Sequence, residues 1–214
     1  MPQSAAIGVA VLTALMAIGC LGGSPAVEYY TFETVAGLAD DAASEAGPEL
    51  AVSVGPVHLP GYLDRQQIAT RPGGSRVRYD EFHRWAGVLD SEIPRALADN
   101  LRILLASNRI VAYPTTAPFA LDYRVVIEIE RFDAALAGDA VLQARWSILS
   151  DSGGDALAVE RSDLKGQVGS SGYSDLAVAH SELLADLSRS VAAKLREVDR
   201  AQREVEDPEE TAAP

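Results

Sequence analysis

One cysteine, Cys20, serves all 214 residues, so no internal disulfide can form. The fold must be held by its core alone, and the chain is long enough to bury one. The three histidines, His58, His83 and His180, lie far apart and lack the H-x-x-x-H spacing that brings two imidazoles to one metal. There is no G-x-S-x-G elbow, Walker loop, H-E-x-x-H or G-x-G-x-x-G. No catalytic set, metal or cofactor is therefore expected. Positive charge is scarce too: 18 Lys and Arg against 31 Asp and Glu give a formal net charge of −13. Phosphate backbones and anionic lipid surfaces repel such a body. That argues against nucleic acid as a partner and against membrane attachment through a basic patch.

Charge is absent altogether from residues 1–19. Within them, Ala5 to Ile18 (AAIGVAVLTALMAI) is an apolar or small-residue run of fourteen. A spanning helix needs about 20 such residues, whereas a signal-peptide core needs fewer. The stretch Ala17-Ile18-Gly19-Cys20 resembles the lipobox of bacterial lipoproteins, which are cut just before the cysteine and acylated on it. Two or more acyl chains give stable anchoring, at about 0.8 kcal/mol per buried CH₂. Leu21-Gly22-Gly23-Ser24-Pro25 then reads as a flexible spacer. Two features depart from the pattern: Met1 to Ser4 carry no Lys or Arg, and Ala17 stands where leucine is usual. The alternative for Cys20 is an ordinary buried thiol.

The pattern predicts a signal peptide over 1–19, a lipidated cysteine and linker over 20–27, one domain over 28–200 and a disordered acidic tail over 201–214. Val27–Glu33 reads as a first strand, and the small, acidic segment 34–49 as a loop. In Leu50–Leu59, Val52 and Val54 alternate, Gly55-Pro56 interrupts, and Val57 and Leu59 resume one step out of phase, which predicts a bulge. Segments 68–71 and 77–82 flank Pro72-Gly73-Gly74-Ser75 as a hairpin. Asp90 and Ser91 are candidate caps for a helix to about Ser107, with an apolar stripe of Ile93, Leu97, Leu101, Leu104 and Leu105.

Three strands follow, at 122–132, 140–149 and 157–168. In the first, Tyr123, Val125, Ile127 and Ile129 share one face and Arg124, Glu128 and Glu130 the other, as in a sheet with one wet face. A long helix from Ser174 to about Arg200 carries Leu176, Leu183, Leu184, Leu187, Val191, Leu195 and Val198 at helical spacing. The expected fold is α+β, a two-layer sandwich of a mainly antiparallel sheet with two long amphipathic helices.

The segment from Val54 to Leu101 carries several unusual words in order: Val54-Gly55-Pro56-Val57, Leu59-Pro60, Tyr62-Leu63-Asp64-Arg65, Gln67-Ile68, a Pro-Gly hairpin, His83-Arg84-Trp85-Ala86 and Leu97-Ala98-Asp99-Asn100-Leu101. With the lipobox, the Tyr29-Tyr30-Thr31-Phe32 strand and the long last helix, it closely resembles the ABC-type transport auxiliary lipoproteins. The resemblance implies a non-catalytic accessory lipoprotein, anchored in the outer membrane through Cys20 and facing the periplasm. Its implied partners are an MCE-domain protein and inner-membrane transport components, in a system that moves lipids or other hydrophobic molecules. Self-association is possible.

Candidate partner contacts are Tyr62 and Trp85, since interfaces favour aromatics, and Arg71, Arg76 and Arg78, clustered on the hairpin of an acidic chain. The bland alternatives are core packing for Trp85 and a solvated turn for the arginines. A second functional reading is a lipid carrier, which needs an internal apolar cavity of several hundred Å³. A third, an envelope hydrolase, needs a polar cluster in a cleft.

Overall fold

The computed structural model describes residues 25–43 and 47–206. The candidate signal peptide, Cys20 and residues 207–214 lie outside them. Eight strands and three helices are described: β1 (Glu28–Tyr30), α1 (Leu38–Ala43), β2 (Val52–His58), β3 (Gln67–Gly73), β4 (Arg76–Trp85), α2 (Leu89–Leu104), β5 (Ile110–Ala112), β6 (Tyr123–Ala134), β7 (Asp139–Ser150), β8 (Ala158–Gln167) and α3 (Tyr173–Glu206). The strands form one open sheet in the order β1-β4-β3-β6-β2-β5, with β7 on the other edge of β6 and β8 beyond it. The long pairings β3–β4, β6–β7 and β7–β8 are antiparallel. The β1–β4, β2–β5, β2–β6 and β3–β6 pairings are parallel, so the sheet is mixed within an α+β fold.

β6 organises the molecule because it has three neighbours. β7 runs along one edge, β2 pairs with its first half from Tyr123 to Glu128, and β3 meets its far end at Thr70↔Ala134. Its inward residues Val125, Ile127 and Ile129 are buried, with Leu142, Ala144, Trp146 and Ile148 of β7 beside them. The apolar stripes of α2 and α3 close this layer; Ile93, Leu97, Leu101, Leu184, Leu187 and Leu195 are each buried. Each such side chain contributes about 1.5–3 kcal/mol by leaving water, which explains how the chain holds together without disulfides.

The slip at Gly55-Pro56 is a bulge: Val54 faces Val125 and Val57 faces Ile127, so β2 carries one residue more than β6 there. Val54 and Val57 are consequently both buried. Gly55 sits at φ 113°, and a Cβ there would come within 3.0 Å of the Tyr113 Cβ. Only glycine suits both conditions.

Several expected boundaries move. α1 lies inside the segment expected to be a loop, because Leu38 finds a fully buried place in the core. α2 starts at Leu89, with Val88 as its cap and no side-chain capping bond. Asp90 and Ser91 sit within the first turn instead, where Ser91 Oγ donates to the Val88 carbonyl at 3.1 Å. α2 ends at Leu104, since Ala106 adopts φ 47° and Ser107 Oγ donates to the Leu50 carbonyl at 2.6 Å. α3 continues to Glu206, so residues 201–206, expected in the tail, are helical. β5 had no sequence signal, being three residues paired to β2.

Candidate functional site

The β3–β4 hairpin projects from the sheet between β1 and β6. Its turn uses Gly73 at φ 146° and Gly74 at φ 59°, with open space around both. Such torsions suit glycine. Arg76 and Arg78 are exposed, and among the described residues neither is in an ion pair. The tip is thus a local positive feature on a chain of net −13.

The root of the hairpin is built around Asp133, a carboxylate with no exposed side-chain surface. Arg71 Nε donates to its Oδ2 at 3.0 Å, and the Tyr62 hydroxyl donates to the same oxygen at 3.0 Å. Arg131 Nε and a terminal guanidinium nitrogen reach Oδ1, each at 2.9 Å. Tyr62 in turn accepts the Phe132 N–H at 3.1 Å, and the Tyr79 hydroxyl donates to the Tyr62 carbonyl at 3.2 Å. Arg65 lies over the Tyr79 ring, 4.0 Å from its centre. The 61–65 turn, β3, β4 and β6 are therefore tied at one point. Burial, together with the Asp133 charge, pushes the Tyr62 hydroxyl above its ordinary pKa, against the opposing pull of the Phe132 amide and Arg71. Burial works against the Arg71 charge, but the bond to Asp133 outweighs it and holds the guanidinium more firmly protonated.

A second cluster fixes β4 against α3. β4 bulges at Asp80–His83, where the pairing jumps from Ala69↔Tyr79 to Gln67↔Arg84. Asp80 Oδ1 accepts the Phe82 and His83 N–H groups at 2.8 and 3.0 Å and contacts His83 Nδ1 at 2.7 Å. Burial raises the Asp80 carboxyl, but the His83 and backbone bonds more than offset this and keep its pKa below the usual range. The His83 ring stacks on Tyr173, centroids 4.0 Å apart. Burial, reinforced by Asp80, pushes Tyr173 up to about 12. Beside this cluster lies a groove of about 400 Å³, walled by Thr70, Pro72, Arg78, Tyr79, Asp80, Ala135, Leu136 and Tyr173.

The five expected contact residues thus separate. Trp85 is 3% exposed, packed on Phe32 with centroids 4.7 Å apart and edge-on to His180. That places it in the core, off any surface a partner can reach. Tyr62 is half-buried and Arg71 largely so, and both spend their polar groups on Asp133. Arg76 and Arg78 alone present themselves outward. Asp133, Arg131 and Asp80 escaped the sequence reading, which weighed His180 only as a metal ligand. A signal for Asp133 existed: the alternation through Ile127 and Ile129 breaks before Phe132, and past a bulge between Ile129 and Arg131 the consecutive residues Phe132, Asp133 and Ala134 are all buried.

His180 lies in the core, its Nδ1 2.9 Å from the Leu176 carbonyl and its ring edge-on to Phe132 at 4.3 Å. Burial pushes its pKa down to about 4. Among the described residues, no group of three or more His, Cys, Asp or Glu is placed to hold a metal ion. None of the described helices is long and apolar enough to cross a membrane.

The architecture is that of an open-sheet, two-layer α+β domain that displays one firmly rooted hairpin. The same fold recurs in a crystal structure of an uncharacterised protein, with TM-score 0.64, 17% identity and coverage of 80% of this chain and 99% of that one. It recurs again in a Xanthomonas campestris protein of the DUF330 family, with TM-score 0.63, 14% identity and coverage of 83% and 99%. No curated protein matches the sequence closely enough to count as a relative. Residues 30–192 match the sequence profile of the ABC-type transport auxiliary lipoprotein component, and the chain belongs to that family.

Proposed function

We propose that this auxiliary lipoprotein is held at the outer membrane by acyl chains on Cys20, faces the periplasm, and docks an MCE-type transport assembly for lipids or other hydrophobic molecules without catalysing a reaction. The observation that carries the docking role is the division of labour within the hairpin. Arg71 anchors the root through buried Asp133, while Arg76 and Arg78 stand exposed and unpaired among the described residues. A positive tip, rooted through Arg71 and Asp133, on an acidic body sets orientation and on-rate toward an acidic or polar partner surface. A carrier role is less well supported, because the layer between sheet and helices is filled by Ile127, Ile129, Leu142, Leu97 and Leu101, each at most 2% exposed.

The test is capture of partners by the native, acylated protein at low salt, with mass spectrometry of what is recovered. Arg76→Glu with Arg78→Glu should melt like the parent, since exposed turn charges contribute little to stability. Partner recovery should fall, and wild-type recovery should fall as salt rises. Arg71 must be left intact, because reversing it would place two carboxylates together at the root. Undiminished recovery by the double variant would reduce the tip to a solvated turn.

A further inference from the structure

Exposed apolar side chains are scattered over most of this surface, but three of them meet at one corner. β1 pairs in parallel with the end of β4 in the register Glu28↔His83, Tyr29↔Arg84, Tyr30↔Trp85. Register partners share a face and alternate residues share a side. Glu28, Tyr30, His83 and Trp85 therefore face α3, where His83 and Tyr30 meet Tyr173 and Trp85 meets His180. Tyr29 and Arg84 face outward, and Val27 and Phe82, which immediately precede the paired residues on the two chains, are exposed beside them. Tyr29 is 59% exposed, Val27 39% and Phe82 37%. Phe82 lies within the bulge, where its N–H donates to Asp80 Oδ1 at 2.8 Å.

We infer that this corner of Val27, Tyr29, Phe82 and Arg84 rests in the headgroup region of the bilayer to which the chain is tethered, giving the anchored domain a fixed orientation. The inference rests on the reading of Cys20 as the acylated residue. Cys20 and Val27 are seven residues apart, so a fully extended chain separates them by at most about 25 Å. The corner is the first folded surface after the anchor and cannot leave the neighbourhood of the membrane. Its composition suits the interface: a phenol, a phenyl ring and a guanidinium are the groups that settle at headgroup depth. Arg84 is partly neutralised by Glu81 at 3.4 Å, and Glu28 lies on the opposite side of β1. The surface is thus suited to zwitterionic headgroups rather than to a strongly anionic membrane. An acyl anchor with a small aromatic contact is a two-signal arrangement in which the second signal restricts rotation more than it adds affinity.

The experiment uses the acylated full chain on phosphatidylcholine vesicles. Flotation with the vesicles comes first; a protein that fails to float sinks the anchor reading itself. An environment-sensitive fluorophore is then placed at Glu81→Cys, which leaves all three apolar residues in place. A control sits at Val178→Cys, 50% exposed on α3 in the other layer. The probe at 81 should be quenched by nitroxide-bearing lipid and shielded from aqueous iodide, while the probe at 178 behaves oppositely. Tyr29→Ser with Phe82→Ser should still float and stay folded at the assay temperature, but lose the lipid quenching of the probe at 81 and its shielding from iodide. Equal behaviour of the two probes overturns the proposal. Shielding at 81 without lipid quenching also overturns it, and assigns the corner to a protein contact, a second copy included.

Discussion

Asp133→Asn removes one charge from a site that four hydrogen bonds define. The asparagine keeps the shape but turns an NH₂ toward donors: Arg71 and Tyr62 on one side or Arg131 on the other. Deleting one partner of a buried ion pair typically costs about 3–5 kcal/mol. Here the arginines retain 21% and 35% of their side-chain exposure and can partly rehydrate, and Tyr62 still accepts the Phe132 amide. The expected loss is therefore near the lower end, about 3 kcal/mol. For a domain of this length, about 2–4 °C of melting temperature corresponds to each kcal/mol. A drop of roughly 6–12 °C should follow. Thermal melting by circular dichroism measures it, and hydrogen exchange locates it. Amides of Gln67–Gly73 should exchange faster than those of β7 and β8, because the root ties the hairpin and not the far sheet. A melting shift under about 2 °C, or protection lost evenly over the sheet, would refute Asp133 as the root of the hairpin.

Three further outcomes are expected. Ile127→Asp puts a charge on the buried face of β6 and should cost about 4 kcal/mol or more, whereas Glu128→Lys, exposed one residue on, should stay within about 0.5 kcal/mol by denaturant titration; equal shifts would contradict the register. His180 titrates at about 4 when folded against 6.5 when free, so the unfolded chain takes up its proton first on acidification. That stabilising contribution is complete above about pH 6.5 and is lost toward pH 4, roughly 3 kcal/mol in all; His180→Phe should flatten the stability–pH slope in this window, and an unchanged slope would refute the assignment. Cys20→Ala should leave the protein soluble in the periplasm or uncleaved in the inner membrane, and wild-type yield in the outer-membrane fraction would contradict acylation.

The elements that repeat were legible in the sequence, and those that depend on a single contact were not. Alternation over Tyr123–Ile129 and the 3.6-residue stripes of Leu97–Leu104 and Leu183–Val198 report burial directly, because burial dominates the free energy of each element. The Gly55-Pro56 slip was visible because it broke that alternation. Parallel pairing of β1 with β4 was hidden, since no local pattern records which distant strand lies alongside. The site was half visible for a related reason. An arginine on a hairpin looks the same in sequence whether it meets water or a carboxylate 62 residues away, as Arg71 does with Asp133. Trp85 was ambiguous for as long as the cluster of Phe32, Phe132 and His180 around it could not be foreseen.

That ambiguity bears on how the hairpin works. Three arginines within eight residues suggest one patch, but their surroundings differ. Arg71 is committed to a buried carboxylate and contributes stability, so its charge is not available to a partner. Arg76 and Arg78 are exposed and make no ion pair among the described residues, so in the proposed docking role theirs is the charge a partner would meet. A flexible tip would lose conformational entropy on docking, whereas a tip rooted through Asp133 has already lost it during folding. Loosening the root should therefore weaken partner capture even with Arg76 and Arg78 untouched. Capture by Asp133→Asn, measured well below its melting temperature, would reveal whether rigidity or charge alone makes the contact.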